Sequence, residues 1–70
     1  MNPIAGERGR AGLSQEQLAN ELGVKSRATI SAWEKGDADI PSSMLVKMSK
    51  FFRCSTDYLL GLTEERKAIA

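Results

Sequence analysis

Two short helix-forming segments joined by only three residues constrain this fold more than any other feature. The first segment opens at Ser14, whose side chain can accept from the amide of Gln17 while the Gln17 side chain reaches back. Gly23 supplies the left-handed residue that ends this helix, and Ser26 can cap a second helix that continues to Lys35. So short a link forces the two helices to cross at a steep angle, which is the geometry of a helix-turn-helix.

The rest of the chain also predicts helices. Aromatic and β-branched residues are sparse and nowhere alternate long enough to indicate a strand. We expect a first helix over Pro3 to Ala11 with Asn2 as its cap, and a fourth that Ser42 or Ser43 caps and that runs to about Phe52. Ser55 caps and Gly61 ends a last short helix. The fold class is therefore all-α, a compact five-helix domain.

Helical spacing predicts which side chains are buried. Leu18 and Leu22 share one apolar stripe, and Leu13 can pack on Leu18 across the cap. Ile30 and Trp33 form the inward face of the third helix, so Trp33 is assigned to the core. The other expected core residues are Ile4, Arg8 and Ala11 in the first helix, Leu45, Met48, Phe51 and Phe52 in the fourth, and Cys54 after it.

Length and composition exclude several function classes. Seventy residues allow one domain, which we place at residues 1–62, with a polar tail at 63–70. A chain without His and with the single Cys54 has no disulfide framework, no usual zinc site and no imidazole base. We therefore expect no metal, no cofactor and no enzymatic activity. The lack of a long apolar run or a leader segment predicts a cytoplasmic protein that does not enter a membrane.

Charge is distributed unevenly along the chain. The formal net charge is only +1, but residues 25–53 carry +3 between flanks of −1 each. This central segment is compatible with an anion-binding face or with an ordinary solvated surface. When Ile30 points inward, Ala28, Ala32 and Lys35 lie near the opposite side of the third helix, with Ser31 beside them. The outward face of that helix is therefore small and unobstructed.

Five segments in order resemble the Cro/repressor-type helix-turn-helix family of phage and bacterial transcription regulators. They are LSQEQLA from residue 13, LGV from 22, RATISAWEKG from 27, IPS from 40 and STDYLLG from 55. The resemblance covers nearly the whole chain. It implies a lambda-repressor-like five-helix fold and sequence-specific binding of double-stranded DNA, with the third helix in the major groove.

The resemblance assigns base-reading candidates to the third helix: Arg27, Ala28, Thr29, Ser31 and Ala32. Arg27 can fork onto a guanine or contact a phosphate. The two alanines can meet a thymine methyl or simply keep the helix close to the groove. Thr29 and Ser31 can bond to a base or a phosphate.

Phosphate-binding candidates are Gln15, Lys25, Ser26 and Lys35. Gln15 matches the family's anchoring glutamine at the start of the second helix. The turn is one residue longer than is usual in the family, so Lys25, Ser26 or Arg27 could meet the groove first. Lys47 and Lys50 either reach the duplex or are solvated. Arg8 and Glu34 match an ion pair of the resembled fold that orients the first helix.

The family resemblance also implies a homodimer on an inverted repeat, since one helix-turn-helix reads few bases. Leu59, Leu60, Leu62 and Ile69 supply apolar surface for that contact. We expect a repressor or autoregulator, because the chain has no room for an effector domain. The alternative is an antitoxin-type or other protein-interaction module of the same fold.

Overall fold

The computed structural model describes residues 2–66, which contain five α-helices and no β-strand. The predicted all-α class is confirmed. None of these helices is long and apolar enough to cross a membrane. The helices are α1 (Ile4–Arg10), α2 (Gln15–Leu22), α3 (Arg27–Lys35), α4 (Ser42–Phe52) and α5 (Thr56–Leu59).

A single apolar core forms where the five helices meet. α2 packs on α3, and α4 packs on α5. The core is closed by α1, which packs on α3, and by contacts between α4 and α2. Trp33 is 5% exposed and Cys54 is fully buried, so both core predictions are confirmed. Leu13 and Val24 pack against this core from either end of α2. Its buried apolar members are Ile4, Leu18, Ala19, Leu22, Ile30, Trp33, Met48, Phe52, Cys54 and Leu59.

The first helix is shorter than its predicted span. It begins at Ile4 with Pro3 in the cap position, so the predicted cap at Asn2 is wrong. The Ile4 amide still donates to Asn2 Oδ1 at 3.2 Å. Ile4 is fully buried as expected, but Ala11 lies beyond the helix and is exposed, so its core assignment is wrong. A helix of seven residues with two glycines depends on its neighbours for stability.

The fourth helix differs most from the sequence-based expectation. Pro41 occupies the cap position and no side chain caps the helix, so the predicted serine cap is wrong. Ser42 is already the first helical residue. Met48 and Phe52 are buried as predicted, whereas Phe51 is 40% exposed, so its core assignment is wrong. The helix ends at Arg53, a non-glycine residue with φ of 58°.

The end of the described chain packs against the domain. Ser55 caps α5 by accepting from the Tyr58 amide at 3.0 Å, as predicted. Gly61 adopts a φ of 78° just after that helix. Although composition predicts a polar tail from residue 63, Arg66 reaches back to Glu7 on α1 at 2.8 Å. Arg66 therefore contacts α1 although it lies beyond residue 62, and the domain boundary at that residue stays a prediction.

Candidate nucleic-acid interface

Local capping bonds fix the ends of α2 and α3. The capping box is present: the Gln17 amide donates to Ser14 Oγ at 3.0 Å, and the Ser14 amide donates to Gln17 Oε1 at 2.8 Å. Gly23 ends α2 in the left-handed conformation with φ of 72°. Ser26 Oγ then accepts from the Ala28 amide at 3.0 Å and starts α3. The predicted helix-turn-helix is therefore confirmed, with the boundaries that these caps set.

The orientation of α3 follows from its two buried residues. Ile30 is fully buried and Trp33 nearly so, which fixes the inward side. Arg27, Ala28 and Lys35 are exposed on the other side. Thr29, Ser31 and Ala32 are half-buried, so part of the predicted reading face is covered. The first turn of α3 is accordingly its most accessible part.

Glu34 is the centre of a hydrogen-bond network that joins three helices. It accepts from Arg8 Nε at 2.6 Å and from Gln15 Nε2 at 2.9 Å. Arg8 also donates to the Leu13 carbonyl at 2.9 Å. Burial raises the pKa of Glu34, but the hydrogen bonds from Arg8 and Gln15 outweigh it and hold the pKa below its ordinary value. The predicted ion pair is confirmed, and the charged network fixes α1 and the start of α2 against α3.

Asn2 adds a second link between α1 and α3. Its Nδ2 donates to the Trp33 carbonyl at 2.8 Å. The sequence predicts only a capping role for Asn2, because nothing in a sequence pairs residue 2 with residue 33. The Trp33 carbonyl near the end of α3 is thus bonded by the chain segment that precedes α1.

The predicted phosphate donors lie at the start of α2, in the turn and at the end of α3. Lys25, Ser26 and Lys35 are exposed, and Gln15 is half-buried because Glu34 holds its side-chain amide. One of the two N–H groups of the Gln15 side-chain amide is therefore already hydrogen-bonded. Within residues 2–66 no acceptor bonds the backbone amides of Gln15 and Glu16, as is common in the first turn of a helix.

Lys47 has a structural role in this region. Its Nζ donates to the Leu22 carbonyl at 2.8 Å, at the C-terminus of α2. A cation at this position is favourable because the C-terminal end of a helix carries partial negative charge. Lys47 thus ties α4 to the turn, whereas Lys50 is simply exposed. The sequence signal for this bond was weak, since 25 residues separate the partners.

One of the residues predicted to form the dimer surface is buried in the core. Leu59 is fully buried in the core, so its assignment to an interface is wrong: α5 uses that side chain to pack against α4. Leu60 and Leu62 are 47% and 73% exposed. Ile69 lies outside the described residues. The exposed apolar surface at this end of the molecule is therefore carried by Leu60 and Leu62.

No sequence motif predicts the buried ion pair at Glu7. Glu7 is 5% exposed, and Arg66 donates to both of its carboxylate oxygens, at 2.8 and 2.9 Å. Those hydrogen bonds from Arg66 lower the pKa of Glu7 against the opposing effect of burial. The partners are 59 residues apart, and Arg66 belongs to a segment whose composition indicates a tail. No motif links them.

Comparison with known proteins agrees with this geometry. The helix-turn-helix family model matches residues 4–59. The chain is 35% identical over 60 residues to the HTH-type transcriptional regulator ImmR of Bacillus subtilis (strain 168), covering 86% of this chain but only 46% of ImmR. It is 40% identical over 65 residues to the uncharacterized HTH-type transcriptional regulator YgzD of the same strain, covering 91% of this chain and 96% of YgzD. No solved structure matches it significantly.

The family match spans most of the described chain, and it includes all five helices. Both relatives align over the capped α2, the turn and α3, where the structure has the motif that names the family. The chain therefore belongs to the Cro/C1-type helix-turn-helix family, whose members are DNA-binding transcriptional regulators and not enzymes.

Proposed function

We propose that the protein is a sequence-specific regulator that binds an inverted-repeat operator as a homodimer and represses transcription, with α3 in the major groove. The observation that carries this proposal is the accessible first turn of α3. Ala28 and the cationic Arg27 are exposed there, while Ile30 and Trp33 anchor the helix from behind. A helix with short outward side chains fits a groove about 12 Å wide.

Base recognition falls to α3. Arg27, exposed at its first position, has the reach and the planar fork to bond a guanine in two places. Ala28 and the half-buried Ala32 offer methyl groups to a thymine methyl. Thr29 and Ser31 are half-buried, so their hydroxyls reach only a base edge or phosphate that closely approaches the helix.

Phosphate binding positions the protein on the duplex. Gln15 uses one amide N–H to bond Glu34 and has the other for a phosphate, next to the unbonded backbone amides at the start of α2. Ser26 Oγ accepts from the Ala28 amide, which leaves the hydroxyl hydrogen as a donor. Lys25 and Lys35 are exposed cations on either side of the reading helix. These four residues would bracket the base-reading turn.

Dimer formation would supply the second half-site. Leu60 and Leu62 are the exposed leucines nearest the end of α5, and an isologous contact through them would bury both. Two copies then present two α3 helices one helical turn of DNA apart. Repression needs nothing beyond occupancy, because a bound dimer blocks the promoter. In a bacterium this places the protein in the cytoplasm, where the DNA is.

The test is selection of duplexes from a random pool, followed by affinity measurements over a range of salt concentrations. About six phosphate contacts per dimer predict a log–log slope near −5. Arg27→Ala should relax the preference at one base-pair position and cost about 1–3 kcal/mol there. Gln15→Ala should weaken selected and random duplexes about equally. Arg10→Ala removes a similar exposed charge on α1 and should change neither property.

Two results would contradict the proposal. A flat salt response with no enriched duplex would favour the protein-interaction alternative, in which the fold holds a protein partner. If Arg27→Ala weakened selected and random duplexes equally, Arg27 would contact phosphate and not a base.

A further inference from the structure

Arg66 satisfies the buried carboxylate of Glu7 more completely than any other described residue. Its guanidinium donates from Nη2 to Glu7 Oε1 at 2.8 Å and from Nε to Oε2 at 2.9 Å. Tyr58 adds a longer hydrogen bond from its hydroxyl to Oε2 at 3.4 Å. A carboxylate that is only 5% exposed is stable only when its oxygens are paired. The position of α1 therefore depends on a residue that follows α5.

The same arginine is also bonded to the end of α4 and the start of α5. Its Nη2 donates to the carbonyl of Phe52, the last residue of α4, at 2.9 Å. Its backbone carbonyl accepts from the amide of Ser55, the cap of α5, at 3.2 Å. Arg66 thus fixes α1 against the junction of α4 and α5.

Arg8, which follows Glu7 in α1, links this helix to the proposed DNA-binding helices. Arg8 donates to Glu34 on α3 and to the Leu13 carbonyl just before α2. Glu7 and Arg8 are neighbours on a helix of only seven residues. A small rotation of α1 at Glu7 therefore moves Arg8, because so short a helix turns as one body.

We propose that Arg66 and Glu7 are positioning residues for base recognition: through α1 and Arg8 they set the orientation of α3 relative to α2. This inference rests on the proposed function. Base contacts need accurate placement of the whole helix, whereas long lysine side chains follow a phosphate through small shifts. Loosening the pair should therefore reduce affinity for the selected duplex more than affinity for a random one.

The experiment compares Arg66→Gln and Glu7→Gln with Arg10→Gln as the matched control. Arg10 is 62% exposed and its guanidinium lies 3.8 Å from Glu7, so that variant removes the same charge without removing the forked bond. The probes are a duplex recovered by the wild-type protein from a random pool and a scrambled version of it. We expect Arg66→Gln and Glu7→Gln to weaken binding of the selected duplex about three- to tenfold. Scrambled-duplex binding and the control should stay within about twofold.

A second readout needs no DNA. In the free protein, the Trp33 indole and Glu34 amide resonances should shift in Arg66→Gln and Glu7→Gln but not in Arg10→Gln. Arg66→Lys keeps the charge without the planar fork and should recover only part of the selected-duplex affinity. This variant also carries the comparison if Arg66→Gln does not fold.

The outcomes separate the two proposals. If the wild-type protein recovers no enriched duplex, the proposed function fails, and the resonances of Trp33 and Glu34 still decide whether Arg66 positions α3. A folded Arg66→Gln protein with wild-type duplex discrimination and unshifted resonances would overturn the inference. Equal weakening of both duplexes would also overturn it, because that result indicates a general loss of folded protein and not a misplaced reading helix.

Discussion

The helix-turn-helix and the longest helix, α4, are stabilised in different ways. Both α2 and α3 begin at a serine that bonds an amide of the first turn, and both end at a glycine in the left-handed conformation. The longest helix, α4, has neither device: Pro41 precedes it without a side-chain bond, and Arg53 ends it at φ of 58°. Local residues thus define the ends of α2 and α3, and α4 depends on the rest of the fold.

Long-range contacts hold α4 in place. Lys47 donates to the last turn of α2, Arg66 donates to the Phe52 carbonyl, and Met48 is fully buried in the core. The comparison implies a division of roles. The helix-turn-helix has its helix ends set by its own sequence, whereas α4 holds that motif in place only when the whole domain is folded.

The largest predicted effect is on α4. Met48→Ala should lower the free energy of unfolding by about 2–5 kcal/mol, because it leaves a cavity at a fully buried site. Val46→Ala is the control on the same helix, where the side chain is 48% exposed, and should change stability by less than about 0.5 kcal/mol. Urea unfolding followed by circular dichroism measures both. Similar small losses in the two variants would show that α4 does not rely on core packing.

Acid should weaken the fold, because Glu7 and Glu34 are carboxylates with a lowered pKa. A folded pKa below the unfolded value stabilises the protein fully above the ordinary value of 4.5. That stability is lost as the pH falls through the lower folded pKa. Urea midpoints measured from about pH 7 to about pH 3 should therefore decrease. Glu7→Gln and Glu34→Gln should each reduce this decrease, and the double variant should reduce it further.

The two single variants separate the contributions of Glu7 and Glu34. Glu7 ties α1 to the end of the described chain, and Glu34 ties α1 to α3 and Gln15. If the double variant kept the full wild-type pH dependence, these carboxylates would not be the groups that link protonation to folding.

The predictions from sequence are correct where the residues that determine a feature lie close to it in the chain. The capping box at Ser14, the left-handed Gly23 and the inward face of α3 all lie within one helical turn of the residues that determine them, and each prediction is confirmed. The Arg8–Glu34 pair came from the family resemblance and is also confirmed. The DNA contacts assigned to α3 and its surroundings stay predictions.

The wrong predictions and the unpredicted ion pair share a physical cause. Ser42 is a favourable capping residue, yet Pro41 takes the cap position and starts α4 one residue earlier. Leu59 belongs to an apolar pair in sequence, and only the packing of α5 on α4 decides that it is buried while Leu60 is exposed. The Glu7–Arg66 pair joins residues from opposite ends of the described chain. Such outcomes depend on tertiary packing, which periodicity and capping rules do not contain.

The smallest predicted effect tests the capping contrast directly. Ser14→Ala should lower the free energy of unfolding by about 1 kcal/mol, because the Gln17 amide loses its acceptor at the start of α2. Ser42→Ala is the matched control: Ser42 is already helical and caps nothing, so its loss should change stability by less than about 0.5 kcal/mol. Urea unfolding of the two variants under one set of conditions makes the comparison. Equal losses would mean that Ser42 contributes as much as a true cap, and the distinction between locally and globally defined helix starts would fail at this pair.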